Sequence, residues 1–131
     1  MAPPPLDRLG RSPLHYAAAE GASESVAKLI GAGADVSLPD RAGWTPLHFA
    51  AQSGGAPTIR LLISAGASID SRDEHGNTPL WRAVFNFRGD SGSIDALKAA
   101  GADEYAENAD GVSPHSLARS IANYGVARLF P

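Results

Sequence analysis

Gly43-Trp44-Thr45-Pro46-Leu47-His48 governs the reading of the whole chain, because it recurs. Thirty-three residues earlier stands Gly10-Arg11-Ser12-Pro13-Leu14-His15, and 33 residues later Gly76-Asn77-Thr78-Pro79-Leu80-Trp81. After a further 35 comes Gly111-Val112-Ser113-Pro114-His115-Ser116. A second phrase lies between the copies: Gly33-Ala34-Asp35-Val36, Gly66-Ala67-Ser68-Ile69 and Gly101-Ala102-Asp103. Two interleaved phrases in one phase mark an internal repeat, and repeats of this length build stacks of like supersecondary units.

Each phrase has a mechanical meaning. Ser12, Thr45, Thr78 and Ser113 precede a proline, which suits a hydroxyl N-cap followed by Pro at the first helical position. The missing proline N–H is no loss there, since the first amides of a helix have no intrahelical acceptor. Gly10, Gly43, Gly76 and Gly111 fit a tight turn with positive φ. A short Ala-rich helix follows, as in Leu47-His48-Phe49-Ala50-Ala51-Gln52. Apolar residues at helical spacing then predict a second helix, with Val26, Leu29 and Ile30 in one copy and Ile59, Leu62 and Ile63 in the next. Gly33, Gly66 and Gly101 end these second helices. Each unit thus reads as turn, helix, helix, return loop.

This pattern resembles the ankyrin repeat, whose signature is Thr-Pro-Leu-His-x-Ala within a 33-residue unit. Thr45 to Ala50 matches in full, Ser12 to Ala17 with Ser for Thr, and Thr78 to Ala83 with Trp for His. The resemblance implies an all-α solenoid of stacked helix-turn-helix units with projecting β-turns, and a concave face, formed by turn tips and first helices, that binds other proteins. It divides the single domain into a flexible Pro-rich tail (1–6), repeats at 7–39, 40–72 and 73–107, and a C-terminal cap at 108–131. The third repeat departs from the pattern. Phe87 replaces Gly21 and Gly54, two extra residues fall within 88–93, and Lys98 replaces Ile30 and Ile63. In the last repeat His115 replaces a leucine at a position that is normally buried.

Composition narrows the chemistry. The chain has 131 residues, a formal net charge of −3 and no cysteine, which excludes disulfides, thiol nucleophiles and cysteine-based zinc sites. Nothing in that charge favours nucleic acid or an anionic membrane as partner. No apolar run reaches the roughly 18 residues of a membrane span, and the N-terminus does not read as a secretory signal, so the expected location is the cytoplasm; the polar C-terminal cap favours a monomer. Ala, Gly, Pro and Arg supply 57 of the residues, a bias that points to a GC-rich, bacterial genome.

Several apparent motifs dissolve on inspection. Gly89-Asp90-Ser91-Gly92 spells the surroundings of a serine-protease nucleophile but lies in the repeat insertion, without the arrangement a triad needs. Gly31-Ala32-Gly33 ends a helix instead of opening one, unlike a dinucleotide loop. His15 and His48 hold equivalent places in successive repeats, roughly 8–10 Å apart by helix packing. Two ligands of one zinc must each lie within about 2.1 Å of it. Their expected role is to bridge Ser12 or Thr45 and the neighbouring turn. Asp7, Asp40 and Asp73 open their turns and are read as turn-formers. No catalytic residue, cofactor or metal ligand is assigned.

What remains is the concave face that the resemblance implies. From the turns it takes Arg11, Arg41, Trp44, Glu74, His75, Asn77 and Asp110; from the first helices Gln52, Phe85 and Asn86; and beside the insertion Arg88. Trp44 fills a slot that the other repeats give to Arg11, Asn77 and Val112, so no core position demands its ring. Phe85 corresponds to Ala19 and Gln52 on an exposed helix face. Aromatic side chains beside arginines are the composition of interface hot spots. Trp81 is expected to pack inward, and Phe87 either touches a partner or covers the lengthened loop. The working expectation is a protein that occupies another protein, a toxin or an enzyme, as an inhibitor or immunity protein. A tethering scaffold is the alternative, and a small enzyme built on His75, His115 and a carboxylate the third.

Overall fold

The computed structural model describes residues 6–121 and 124–131. The helices are α1 (Pro13–Glu20), α2 (Ser23–Gly31), α3 (Pro46–Phe49), α4 (Ala56–Ser64), α5 (Pro79–Phe85), α6 (Gly92–Ala99), α7 (Pro114–Ser120) and α8 (Tyr124–Ala127), and α3 runs on into one π-helical turn, Ala50–Gly54. They pack in four pairs, α1 with α2, α3 with α4, α5 with α6 and α7 with α8. The first helices form one row, α1 on α3, α3 on α5 and α5 on α7, and α2, α4 and α6 form a second row behind it. This is the all-α solenoid of stacked helix pairs that the repeat implies.

The four caps are built alike. Ser12, Thr45, Thr78 and Ser113 adopt extended backbone, and each is followed by its proline at the helix start. The Thr78 hydroxyl oxygen accepts from the Trp81 amide at 3.2 Å, and that of Ser113 accepts from Ser116 at 3.1 Å. Ahead of each cap is a turn closed in both directions. In the second turn the Asp40 amide donates to the Trp44 carbonyl at 2.8 Å, and the Gly43 amide to the Asp40 carbonyl at 3.0 Å. Successive turns are joined by amides donating to carbonyls: Arg41 to Leu9, Glu74 to Ala42 and Ala109 to His75, at 2.8–2.9 Å. Gly43 is needed there twice over. Its φ is +81°, and an added Cβ would sit 2.9 Å from the Asp73 Cα in the adjoining turn, inside any permissible backbone contact.

The core is a set of ladders, each rung one repeat. Leu14, Leu47 and Leu80 are buried along the first-helix row; Val26, Ile59 and Ile94, and then Leu62 and Leu97, are buried along the second. Ala17, Ala50, Ala83 and Ala118 fill the space between neighbouring helices, where a larger side chain would force the rows apart.

Three local features differ from the regular pattern. The π turn at 50–54 arises where the sequence offers two glycines. In the first repeat Gly21 ends the helix at φ +67°, whereas here the chain continues one residue further and Gly55 turns it at φ +94°, its amide donating to the Ala50 carbonyl at 3.0 Å. The second is Phe87, which is buried in the core and so covers the lengthened connection. The insertion itself is tied locally, Ser91 donating to Asp95 at 2.7 Å and the Gly92 amide to Asp90 at 2.9 Å. Third, Lys98 binds the chain end: its ammonium donates to the Leu129 carbonyl, lies 4.5 Å from the centre of the Phe130 ring and 3.8 Å from Glu104. Phe130 is fully buried, so the charge that interrupts the apolar ladder of α2 and α4 secures the last helix pair. His115 is a correction. It is half-buried, with Nδ1 3.0 Å from Glu104 and its ring against Tyr105, because the end of the row leaves it beside solvent. The tail expected at 1–6 falls almost wholly outside the described residues. No helix among the described residues is long and apolar enough to cross a membrane.

Candidate functional site

Asp7, Asp40 and Asp73 build the turns that carry the site. In each, one carboxylate oxygen accepts two turn amides at 2.8–2.9 Å: Leu9 and Arg11, Ala42 and Trp44, His75 and Asn77. The second oxygen is then free to anchor a side chain on the groove. That of Asp7 takes the Tyr16 hydroxyl, that of Asp40 takes Arg11 Nε at 3.1 Å, and that of Asp73 takes Arg82 Nη2 at 2.9 Å. Burial of the Asp73 carboxylate opposes its ionisation, but the bonds from the Asn77 amide, Arg82 and the His75 amide outweigh burial and hold its pKa below the usual carboxylate value. The Asp7 carboxyl is lowered chiefly by its bond from Tyr16 and the Arg11 amide.

The anchored arginines lie on aromatic rings. Arg82 stands 4.4 Å from the centre of the Trp44 ring and 5.3 Å from that of Trp81, and Arg11 stands 4.9 Å from that of Phe49. Trp44 and Phe49 meet at 4.9 Å, and Trp81 and Phe85 stack at 5.3 Å with 16° between their planes. The result is an alternation of rings and guanidiniums along the first-helix row, in which cation–π attraction adds to the ion pairs. It lines a hollow of about 330 Å³ formed by Arg11, Trp44, Phe49, Gln52, Arg82, Phe85 and Asn86. Phe85 is 54% exposed. Two larger hollows lie elsewhere, at the outer end of α1 and α2 and behind α4 and α6. The one behind α4 and α6 is lined by small and aliphatic residues with one arginine and one aspartate.

Arg11, Trp44, Gln52, Phe85 and Asn86 therefore come together as the sequence suggests, and Arg41, Glu74, His75 and Asp110 are exposed on the turns. Arg88 is exposed on the loop after α5. Asn77 is a correction. It is buried, its side-chain oxygen accepts from Asn108 Nδ2 at 2.8 Å, and it links the third turn to the fourth just as the Arg11–Asp40 pair links the first to the second. Trp44 is a partial correction, for its ring is half-buried between Arg82, His48 and Phe49. Trp81 is also half-buried and packs on the core, with its indole N–H buried and without a partner. Sequence reasoning missed Arg82 and Phe49. Both fill the variable place in Thr-Pro-Leu-His-x-Ala, as Tyr16 does, and that shared place was the signal that would have found them.

His48 shows how the turns are held to the helices. Its Nδ1 lies 3.1 Å from the Thr45 amide and its Nε2 2.8 Å from the Asn77 carbonyl. An amide can only donate and a carbonyl only accept, so the proton is on Nε2 and the ring is neutral. His15 repeats the arrangement with the Ser12 amide and the Trp44 carbonyl. Burial lowers the pKa of both rings from 6.5, against the smaller raising effect of the carbonyls. The unfolded chain therefore protonates first. Stability is complete above about pH 6.5 and falls as the pH drops below it, by at most about 1.4 kcal/mol per pH unit for each histidine. Urea midpoints measured from about pH 7.5 down to 5 should fall progressively, and a flat profile would contradict the neutral bridging role.

Among the described residues no three His, Asp or Glu side chains are grouped to hold a metal ion. A family model described as ankyrin repeats (3 copies) matches residues 14–108. No curated protein matches the chain. Ankyrin repeats generally mediate contacts between proteins and are typically non-enzymatic. With the matched span covering most of its length and the helix pairs stacked in one row, the chain belongs to the ankyrin-repeat family.

Proposed function

We propose that this is a non-enzymatic binding protein that acts in the cytoplasm as a monomer, occupying a partner protein with its concave face in the manner of an inhibitor or immunity protein. One observation carries the reading: Phe85, more than half exposed, is stacked on Trp81 beside two guanidiniums that buried aspartates hold in place. An exposed ring held in one orientation loses little conformational freedom on binding, which is what makes an aromatic anchor effective. An interface of ordinary size needs about 800 Å² from each partner, within the reach of three or four repeats. Inhibition is favoured over catalysis because the residues lining the groove include no carboxylate, imidazole or hydroxyl that could serve as acid, base or nucleophile.

The test is capture of the partner from the source lysate by the tagged protein, followed by titration of the purified pair. Phe85→Ala, which removes an exposed ring and spares the core, should weaken binding by about 2 kcal/mol or more, some 30-fold. An inhibitor abolishes its partner's activity at 1:1 stoichiometry; a tethering scaffold leaves that activity intact and binds a second protein at the same time. Unchanged affinity on Phe85→Ala would remove the concave-face reading.

A further inference from the structure

We infer that the hollow on the first-helix row receives a carboxylate borne on an acidic loop of the partner protein, lodged between Arg11 and Arg82 with an apolar neighbour against Phe85. This rests on the concave-face reading above and names what that face takes.

The charges are layered. The Asp40 and Asp73 side chains are 1% and 0% exposed and lie beneath the surface, whereas those of Arg11 and Arg82 are 27% and 16% exposed. A ligand therefore meets guanidinium and aromatic ring, not carboxylate, and none of the seven residues lining the hollow is acidic. Both guanidiniums keep donors outside their ion pairs. Asp40 engages Arg11 through Nε, Tyr16 bonds to the same guanidinium, and Asp73 engages Arg82 through Nη2; each guanidinium has five N–H donors, more than these bonds use. A ring lies against each group, so the forked donors that suit a planar carboxylate are held in place before it arrives. The uncharged amides of Gln52 and Asn86 complete the lining.

The turn tips give the partner a direction. Arg8 and Arg41 are exposed on the first two turns, and Glu74 and Asp110 on the last two. An acidic segment is drawn toward the early turns and a basic group beside it toward the late ones. With a net charge of −3 on the whole chain, a polyanion such as nucleic acid is repelled overall, whereas a single carboxylate between two fixed arginines is not.

The experiment is selection of binders from a random-peptide phage library on the whole protein, followed by affinity measurement on wild type, Gln52→Glu, Gln52→Lys and Phe85→Ala. Gln52 is exposed on the lining, so both of its substitutions leave the core alone. Selected peptides should carry Asp or Glu beside an apolar residue and should bind less tightly as salt rises. Gln52→Glu should weaken them by about tenfold or more, and Gln52→Lys should hold or tighten them. Basic peptides, or acidic ones indifferent to Gln52→Glu, would overturn the inference. Non-acidic peptides lost on Phe85→Ala would overturn it while leaving the concave-face reading in place. Peptides untouched by Phe85→Ala would count against both.

Discussion

Replacing Asp73 with alanine is expected to destabilise the protein by about 3–5 kcal/mol, the range for stripping one partner from a buried ion pair. The carboxylate is fully buried and makes three bonds at 2.9 Å, to the His75 and Asn77 amides and to Arg82 Nη2. Its removal leaves two turn amides without their acceptor and a guanidinium that is 16% exposed without its counter-charge. Asp73→Asn separates the two losses. Asn108 stands at the equivalent place in the fourth turn, and its oxygen accepts from the Asp110 and Val112 amides at 2.9 Å, so an amide suffices to close the turn. The asparagine variant should therefore recover part of the stability, and the remainder measures the Arg82 ion pair. Denaturation midpoints of the three proteins at neutral pH test this, and equal loss in both variants would show that the turn amides matter little.

The second large effect is expected at His48. His48→Leu retains an apolar body of similar size at a position with no exposure, but deprives the Thr45 amide of its acceptor and leaves the Asn77 carbonyl with the Asp73 amide alone. At about 1–3 kcal/mol for the buried amide left unsatisfied and about 1 kcal/mol for the bond lost at the carbonyl, the loss is about 2–4 kcal/mol. The variant also loses one of the two rings whose protonation weakens the fold in mild acid, so its stability should fall less steeply below about pH 6.5 than that of the wild type. A variant that is destabilised yet keeps the full acid slope would assign that slope elsewhere.

The repeat was legible because each of its residues answers a local demand: a hydroxyl before the helix, a proline in its first turn, a glycine where φ must be positive. Such demands recur with the period, so four copies of Gly-x-Ser/Thr-Pro state the fold between them. Where the chain departs from the period, local rules said less. Lys98 reads as a lost apolar residue, and its bond to the Leu129 carbonyl joins residues 31 apart, which no local pattern encodes. The π turn depends on a Gly54-Gly55 pair that permits an extra helical residue without requiring one. The groove divides the same way. Phe85 was found because an aromatic ring on an exposed helix face has no local explanation. Arg82 was passed over because its partner Asp73 lies in the preceding turn, and the two are joined only by folding. Asn77 was misjudged because it shares a slot with Trp44. A large ring in that slot must reach the groove, whereas a small amide reaches the next turn and bonds to Asn108.

Amide hydrogen exchange of the protein, alone and bound to its captured partner, puts the concave face to the most direct test. Added protection should fall on residues 41–44, 49–52 and 82–86, with the amides of α2, α4 and α6 unchanged. Protection confined to α2, α4 and α6, with the hollow between Arg11 and Phe85 still exchanging freely, would place the partner on the opposite row and contradict the account.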